Sequence, residues 1–428
     1  MTITFILPEI TGGGIATYYK NLIPQLVEAG HAVNVILGDY KFDIAQHSFP
    51  GQLFQITKQD YKKGLAQYTA LDIFSTIRHK CALSYACYLR ALEMGSDVIE
   101  ITDYNLLFYK FLTDKIAPVV IRLAGSSGQL ELHEQRNSDQ LENTFLLGLE
   151  KSLINEADYI IGLSQLNVDY WNQRLNNKSF LHLPYINYKT THVTPTEIKS
   201  NRGVVVGRLQ LWKGAKFLCE FYQKYPDAPE VDWIGGDNYY KDYAVSMLAH
   251  LKKTYPDIIG HKIHFIGRLP YEKTQQKITD AAFVLVPSIW DTFNFVVTEA
   301  MWNKKIVITS DGTGASELID NDNNGFVYNH KDVHTLADSL KRFQSKSALE
   351  LEMIASNAQK TVKYFLNNPQ LITDRLNIYD SLKNLSIKRN EEIAFLNQAL
   401  TTPSTKKAVV KKLSAKELLQ AFVNKITR

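Results

Sequence analysis

Apolar positions in this chain follow two rhythms. Short β-branched runs alternate with longer stretches in which apolar residues recur at helical spacing, the pattern of βαβ units and a parallel sheet. The first half reads as strand Thr2–Leu7, a glycine loop, helix Ile15–Ala29 and strand Ala32–Leu37. Further strands are expected at Val98–Ile101, Val119–Leu123 and Tyr159–Gly162, with a long helix over Asp139–Glu156. The rhythm stops over Pro184–Arg202, which is polar and contains Pro195, so a linker is expected there.

After the linker the pattern restarts. It predicts strand Gly203–Val206, helix Gly214–Tyr225 and strands Val231–Gly235, Lys262–Ile266 and Phe283–Val286. Helix Phe295–Asn303, strand Ile306–Thr309 and closing helices from Asp332 complete it. Both halves therefore read as doubly wound α/β domains. Such domains bind ligands in the crevice at the carboxyl ends of their strands. The expected units are residues 1–190, 191–385 and a tail over 386–428.

Composition narrows this picture. A chain of 428 residues with 45% hydrophobic and 21% charged residues buries an ordinary core. Three cysteines, Cys81, Cys87 and Cys219, are too few and too scattered for a disulfide framework or a zinc site, and point to a reducing cytoplasm. The first residues read as a strand rather than a signal peptide, and no run approaches the ~18 apolar residues of a membrane span. The net charge of +4 argues against nucleic acid as the main partner. From Ser386 onward, however, nine Lys/Arg face three Glu, about +6 in all. Ser414–Glu417 matches a capping box, and Leu418, Leu419, Phe422, Val423 and Ile426 follow at helical spacing. A basic amphipathic helix of this kind suits the inner face of an anionic membrane or a protein partner; the plainer reading is a solvated end.

Three segments carry candidate chemistry. Gly12-Gly13-Gly14 follows the first strand and opens a helix, where backbone approaches a ligand closely and free N–H groups face an anion. A tight turn is the plainer alternative. In Val206-Gly207-Arg208-Leu209-Gln210-Leu211-Trp212-Lys213-Gly214, two cations stand five residues apart between a strand end and a helix. A diphosphate leaving group needs such cations to offset its developing charge. In Pro287–Glu299, a strand ends, a polar loop carries Asp291, and a helix brings Glu299 into an apolar stretch. Eight residues of helix span roughly 12 Å, too far for the ~5–5.5 Å carboxylate pair of a retaining glycosidase. The two carboxylates therefore read as ligand-holding groups, suited to sugar and ribose hydroxyls.

In this order and spacing the pieces resemble the retaining GT-B glycosyltransferases of the large bacterial family four, over about residues 1–380. Gly207-Arg208-Leu209 with Lys213-Gly214 is similar to that family's G-R-L-x-x-x-K-G. Pro287-Ser288 with Asp291 and Glu299-Ala300-Met301 is similar to its P-S and E-x7-E-A-M. Gly314, Glu317-Leu318-Ile319 and Asn324-Gly325-Phe326-Val327 are similar to the segment that follows. The resemblance implies two Rossmann-like domains facing a central cleft, retention at the anomeric carbon, no metal and no cofactor. The donor it implies is a nucleoside diphosphate sugar, UDP or GDP, and the acceptor a saccharide or lipid-linked group in cell-surface synthesis. Arg208, Lys213 and Asp291 would serve catalysis. Arg208 and Lys213 would hold the diphosphate, and Glu299 the ribose. Asp291 with the backbone of Thr292, Phe293 and Asn294 would hold the sugar. Arg268 and Leu269 would lie near the base, and Gly13 and Gly14 would approach the phosphates or acceptor.

This chain also departs from the family pattern. The first acid of E-x7-E is Asp291, and Thr292 and Asn294 replace the usual glycines. A-x-G-x-P has become Trp302-Asn303-Lys304-Lys305-Ile306. The histidine expected after strand Val119–Leu123 is Ala124, with His133 farther along. Two alternatives follow from these changes: a non-catalytic GT-B subunit supporting a partner transferase, and a sugar-nucleotide epimerase.

Overall fold

The computed structural model describes residues 1–47, 49–134, 140–188, 201–240, 244–387 and 390–401. The amphipathic stretch around Leu418–Ile426 and linker residues 189–200 lie outside them.

The first domain is built on seven strands. They are β1 (Thr2–Leu7), β2 (Ala32–Leu37), β3 (Gln52–Gln55), β4 (Val98–Thr102), β5 (Val119–Leu123), β6 (Tyr159–Gly162) and β7 (Phe180–Leu181). Their order in the sheet is β3-β2-β1-β4-β5-β6-β7, and every pair is parallel. Strands β4 and β5 are buried at every residue, and their otherwise β-branched, apolar runs each carry one buried charge, Glu100 and Arg122. The edge strand β3 is partly exposed and begins and ends on glutamine, so its sequence carries little strand signal.

The second domain repeats the plan with β8 (Gly203–Val206), β9 (Val231–Ile234), β12 (Ile263–Gly267), β13 (Val284–Val286), β14 (Val307–Ser310) and β15 (Phe326–Tyr328). A small antiparallel hairpin, β10 (Tyr239–Tyr240) and β11 (Val245–Ser246), is inserted between β9 and β12. The main sheet is parallel in the order β12-β9-β8-β13-β14-β15. In both sheets the strand order reverses once, between β1 and β4 and between β8 and β13. Doubly wound sheets leave a crevice at that reversal. The fold is thus the expected pair of Rossmann-like domains.

Two crossings join the domains side by side. Ile186 N donates to Leu366 O at 2.8 Å, and Asn367 Nδ2 donates to Ile186 O at 2.7 Å. Helix Gln370–Leu382 then lies on the first domain, although the sequence grouped it with residues 191–385. Its Arg375 Nη1 and Tyr379 hydroxyl donate to Glu100 Oε2 at 2.7 and 2.6 Å, and Arg375 Nη2 donates to the Tyr18 hydroxyl at 2.7 Å. Tyr19 completes the carboxylate from the glycine-loop helix, donating to Glu100 Oε1 at 2.9 Å. All of these side chains are buried, and the pair survives burial because its polar atoms are satisfied together. Helix Glu391–Thr401 also packs on the first domain, with Ile393 in its core and Asn390 Nδ2 donating to Glu156 at 2.9 Å. Among the described residues no helix is long and apolar enough to cross a membrane.

Candidate functional site

The site forms where β8 and β13 end. Gly214 (φ +83°) lies so close to Pro287 that an added Cβ would sit 1.8 Å from its carbonyl oxygen. Only glycine permits this approach, and it joins the loop after β8 to the loop after β13. Ile289 N donates to Trp212 O at 2.9 Å, tightening the same seam. Lys213 Nζ thereby reaches Asp291 Oδ2 at 2.5 Å, with side chains only 17% and 12% exposed. The ammonium also sits 4.2 Å from the Trp212 ring. Arg208 is exposed at the end of β8 and makes no ion pair within 4 Å among the described residues.

The Pro287–Asn294 loop is held from both sides. Asp291 N donates to Gly312 O and Gly314 N to Asp291 O, at 2.9 and 3.0 Å. Asn294 takes a left-handed conformation (φ +72°), where family relatives carry glycine, and its side chain caps helix Phe295–Trp302 through Val296 N at 3.2 Å. Asparagine tolerates this conformation better than most residues and is a preferred N-cap. Phe293 is buried against Phe295. Thr292 spans the cleft: its hydroxyl donates to Ala124 O at 3.3 Å, and its carbonyl accepts from Ser164 Oγ at 2.7 Å.

Glu299 sits one helical turn into the domain and is half-buried. Burial pushes its carboxyl up to about 7, against the opposing pull of Gln275, whose Nε2 donates to Oε2 at 3.3 Å. Burial, then the Glu299 charge, pushes the Tyr271 phenol up to about 12. Tyr188 is raised for the same two reasons, and its hydroxyl bonds Thr298 Oγ1 at 2.8 Å.

The first domain closes the other side. A Cβ added at Gly14 would lie 3.3 Å from the Phe295 ring, so the glycine loop rests on the capped helix. A Cβ at Gly13 (φ +71°) would lie 3.2 Å from Glu9 Oε1. Partial burial raises the Glu9 carboxyl, and the charges of Arg208 and then Arg268 oppose the shift. His133 stacks on Trp290 with ring centroids 4.4 Å apart and planes 6° from parallel. Burial and the nearby His330 depress its imidazole to about 4. Glu134 accepts from Trp212 N at 3.3 Å. Glu317 reaches back to cap the helix Gln165–Asn172, accepting from Gln165 N and Leu166 N at 2.8 and 2.7 Å. Behind Ala124, buried Asp103 accepts from its N–H at 2.6 Å, and burial pushes that carboxyl up to about 7.

The structure brings some of the candidate residues together and leaves others apart. Lys213, Asp291, Thr292, Phe293 and Asn294 form one packed cluster, and Gly14 abuts its helix. Arg268 and Leu269 follow β12, three strand positions from β13. Glu9, Glu134, Gln275 and Asn303 were not singled out from sequence. Glu9 carried a weak signal, as an acid three residues before the first glycine of the loop. Lys304 adopts φ +53° in the stretch where relatives have A-x-G-x-P. Among the described residues no group of three or more His, Cys, Asp or Glu is placed to hold a metal ion.

Comparison with known proteins agrees with this architecture. Residues 193–361 match the family of glycosyl transferases group 1. An uncharacterized glycosyltransferase of Methanocaldococcus jannaschii is 22% identical over 413 residues, covering 88% of this chain and 96% of that protein. Sucrose-phosphate synthase from Thermosynechococcus elongatus superposes with a TM-score of 0.69 at 18% identity, covering 89% of this chain and 98% of its own. HepE of Anabaena, solved with UDP-glucose, superposes at 0.65 with 19% identity, covering 89% of this chain and all of that one. At these identities the structural likeness speaks for the fold, which is GT-B.

Proposed function

We propose that this chain, a GT-B protein whose residues 193–361 are those of a group 1 glycosyl transferase, is a retaining enzyme. It moves a sugar from a nucleoside diphosphate sugar to a saccharide or lipid-linked acceptor in cell-surface polysaccharide or glycoconjugate synthesis. One observation carries this reading. The exposed Arg208 and the half-buried Lys213 follow β8, while Asp291 and Glu299 follow β13, so cations and carboxylates flank the strand reversal together.

The chemistry follows from the placement. Arg208 and Lys213 bind the diphosphate and offset the charge that grows on it as the glycosidic bond breaks, with no metal needed. Lys213 remains oriented by Asp291. Asp291 and the backbone of Thr292–Asn294 hold the donor sugar, Glu299 accepts the ribose hydroxyls, and Arg268 and Leu269 border the base. Gly13 and Gly14 bring the first-domain helix N-terminus to the phosphates. A uridine nucleotide is the first donor to try, since HepE, of the same fold, was solved with UDP-glucose; a guanosine nucleotide is the second. The excess of Lys and Arg after Ser386 supports a position at the inner face of an anionic membrane.

The test is release of nucleoside diphosphate from a panel of UDP-, GDP- and ADP-sugars, with the product's anomeric configuration read by NMR. A retained configuration is expected; inversion sinks the retaining assignment. A second reading, a non-catalytic subunit, draws on the Thr292–Ala124 hydrogen bond that closes the cleft where the sugar is expected. Co-purification of an active transferase, with no donor turnover by this chain, selects it.

A further inference from the structure

Glu299 does not stand alone in its helix. Asn303 lies four residues later, on the same face, and its own N–H donates to Glu299 O at 3.1 Å. Gln275, on the neighbouring helix Tyr271–Asp280, is 3% exposed and bridges the two side chains. Its Oε1 accepts from Asn303 Nδ2 at 2.9 Å, and its Nε2 donates to Glu299 Oε2 at 3.3 Å.

A primary amide has a donor end and an acceptor end of nearly the same shape. Turned over, Gln275 would aim its carbonyl oxygen at the Glu299 carboxylate, acceptor against acceptor. The Glu299 carboxylate only accepts, so it draws the Gln275 NH2 toward itself and leaves Gln275 Oε1 to accept from the Asn303 NH2. Asn303 in turn anchors the Gln275 carbonyl, and the hydrogen bonds of such a chain strengthen one another.

We propose that Asn303 and Gln275 are positioning residues for Glu299. They engage its Oε2 and turn Oε1 toward the ribose, so that the amide chain sets the preference for ribonucleotides over 2′-deoxyribonucleotides. This rests on the nucleotide-sugar reading of the site. Neither residue touches the ligand; both act through the carboxylate.

The experiment titrates UDP and 2′-deoxy-UDP, and GDP with 2′-deoxy-GDP, into the full-length wild type, Asn303→Asp and Gln275→Leu, with a melting curve for each. Asn303→Asp keeps the shape but removes the donor, so two carboxylates compete for the one Gln275 NH2 and Glu299 loses its fixed partner. The expected result is about a tenfold loss of affinity for the ribonucleotide and little change for the deoxynucleotide, so the wild-type ratio collapses toward one. Gln275→Leu gives the same collapse by a different route, which guards against a folding defect in either variant. Variants that keep the wild-type ratio overturn the proposal while leaving the nucleotide site standing. A wild type that binds none of these nucleotides overturns both.

Discussion

Lys213 Nζ lies 2.5 Å from Asp291 Oδ2, and this ion pair ties the loop after β8 to the loop after β13 across the strand reversal. Both side chains are largely buried, so removing one strands the other. Lys213→Ala is expected to destabilise the fold by on the order of 3 kcal/mol in urea unfolding. The Lys213→Ala, Asp291→Ala double variant should lose less than the sum of the singles. Turnover should fall about 10²–10³-fold in Lys213→Ala, with a smaller effect on donor KM. Additive stability losses, or unchanged turnover, would contradict the pairing and its role.

Glu299 predicts opposite effects on stability and binding. Burial raises its folded carboxyl to about 7 from an ordinary value of 4.5. The folded state therefore holds its proton more tightly than the unfolded one. Stability from this group is fully present below about pH 4.5 and is lost as pH rises through about 7. Glu299→Gln removes that loss, and should stabilise the free protein at pH 8 by about 1–3 kcal/mol after allowing for partial solvent screening. The gain should vanish below pH 4.5, the group's unperturbed value. Nucleotide affinity should fall in the same variant. Melting curves at the two pH values, with one titration, check both halves.

The strand ends and the glycine loop were legible because local pattern dictates them: β-branched runs form strands, and glycine marks close approach; the Arg208–Glu299 motif was legible only through its resemblance to a family pattern. What joins the domains was not. Arg375 and Glu100 are 275 positions apart, and neither carries a local signal that it will be buried. The closing contacts of the cleft, such as His133 on Trp290 and Glu317 on the helix at Gln165, are likewise long-range choices of packing. Strand β3 escaped because a half-exposed edge needs no apolar run. The positioning amides Gln275 and Asn303 escaped because each reads as an ordinary helix residue until the other is placed beside it.

The Arg375–Glu100 pair supports a prediction of its own. Its side chains are 4% and 0% exposed, so Arg375→Met leaves an uncompensated buried carboxylate. A loss of about 3–5 kcal/mol is expected. Adding Glu100→Gln should recover part of it. Chemical denaturation of the three variants checks this, and an Arg375→Met protein as stable as wild type would show that helix Gln370–Leu382 is not anchored by this charge.

Lys304 at φ +53° occupies the left-handed region without being glycine. That conformation costs an ordinary residue roughly 1–2 kcal/mol, partly offset in glycine by its freer unfolded chain. Lys304→Gly is expected to raise stability by about 0.5–1 kcal/mol, read as a higher urea midpoint with an unchanged slope. A lower midpoint would mean that the lysine side chain contributes more than the strain removes.

The central claim is that the crevice between Arg208 and Glu299 binds a nucleoside diphosphate and its sugar. Thermal unfolding of the full-length chain with UDP, GDP, ADP and their common sugars tests it most directly. One nucleotide family, present at about 100 times its dissociation constant, should stabilise the fold by about 2.7 kcal/mol and raise the melting temperature accordingly. The same ligand should fail to shift Glu299→Gln to that extent. An unchanged melting temperature with every nucleotide and every nucleotide sugar would contradict the account.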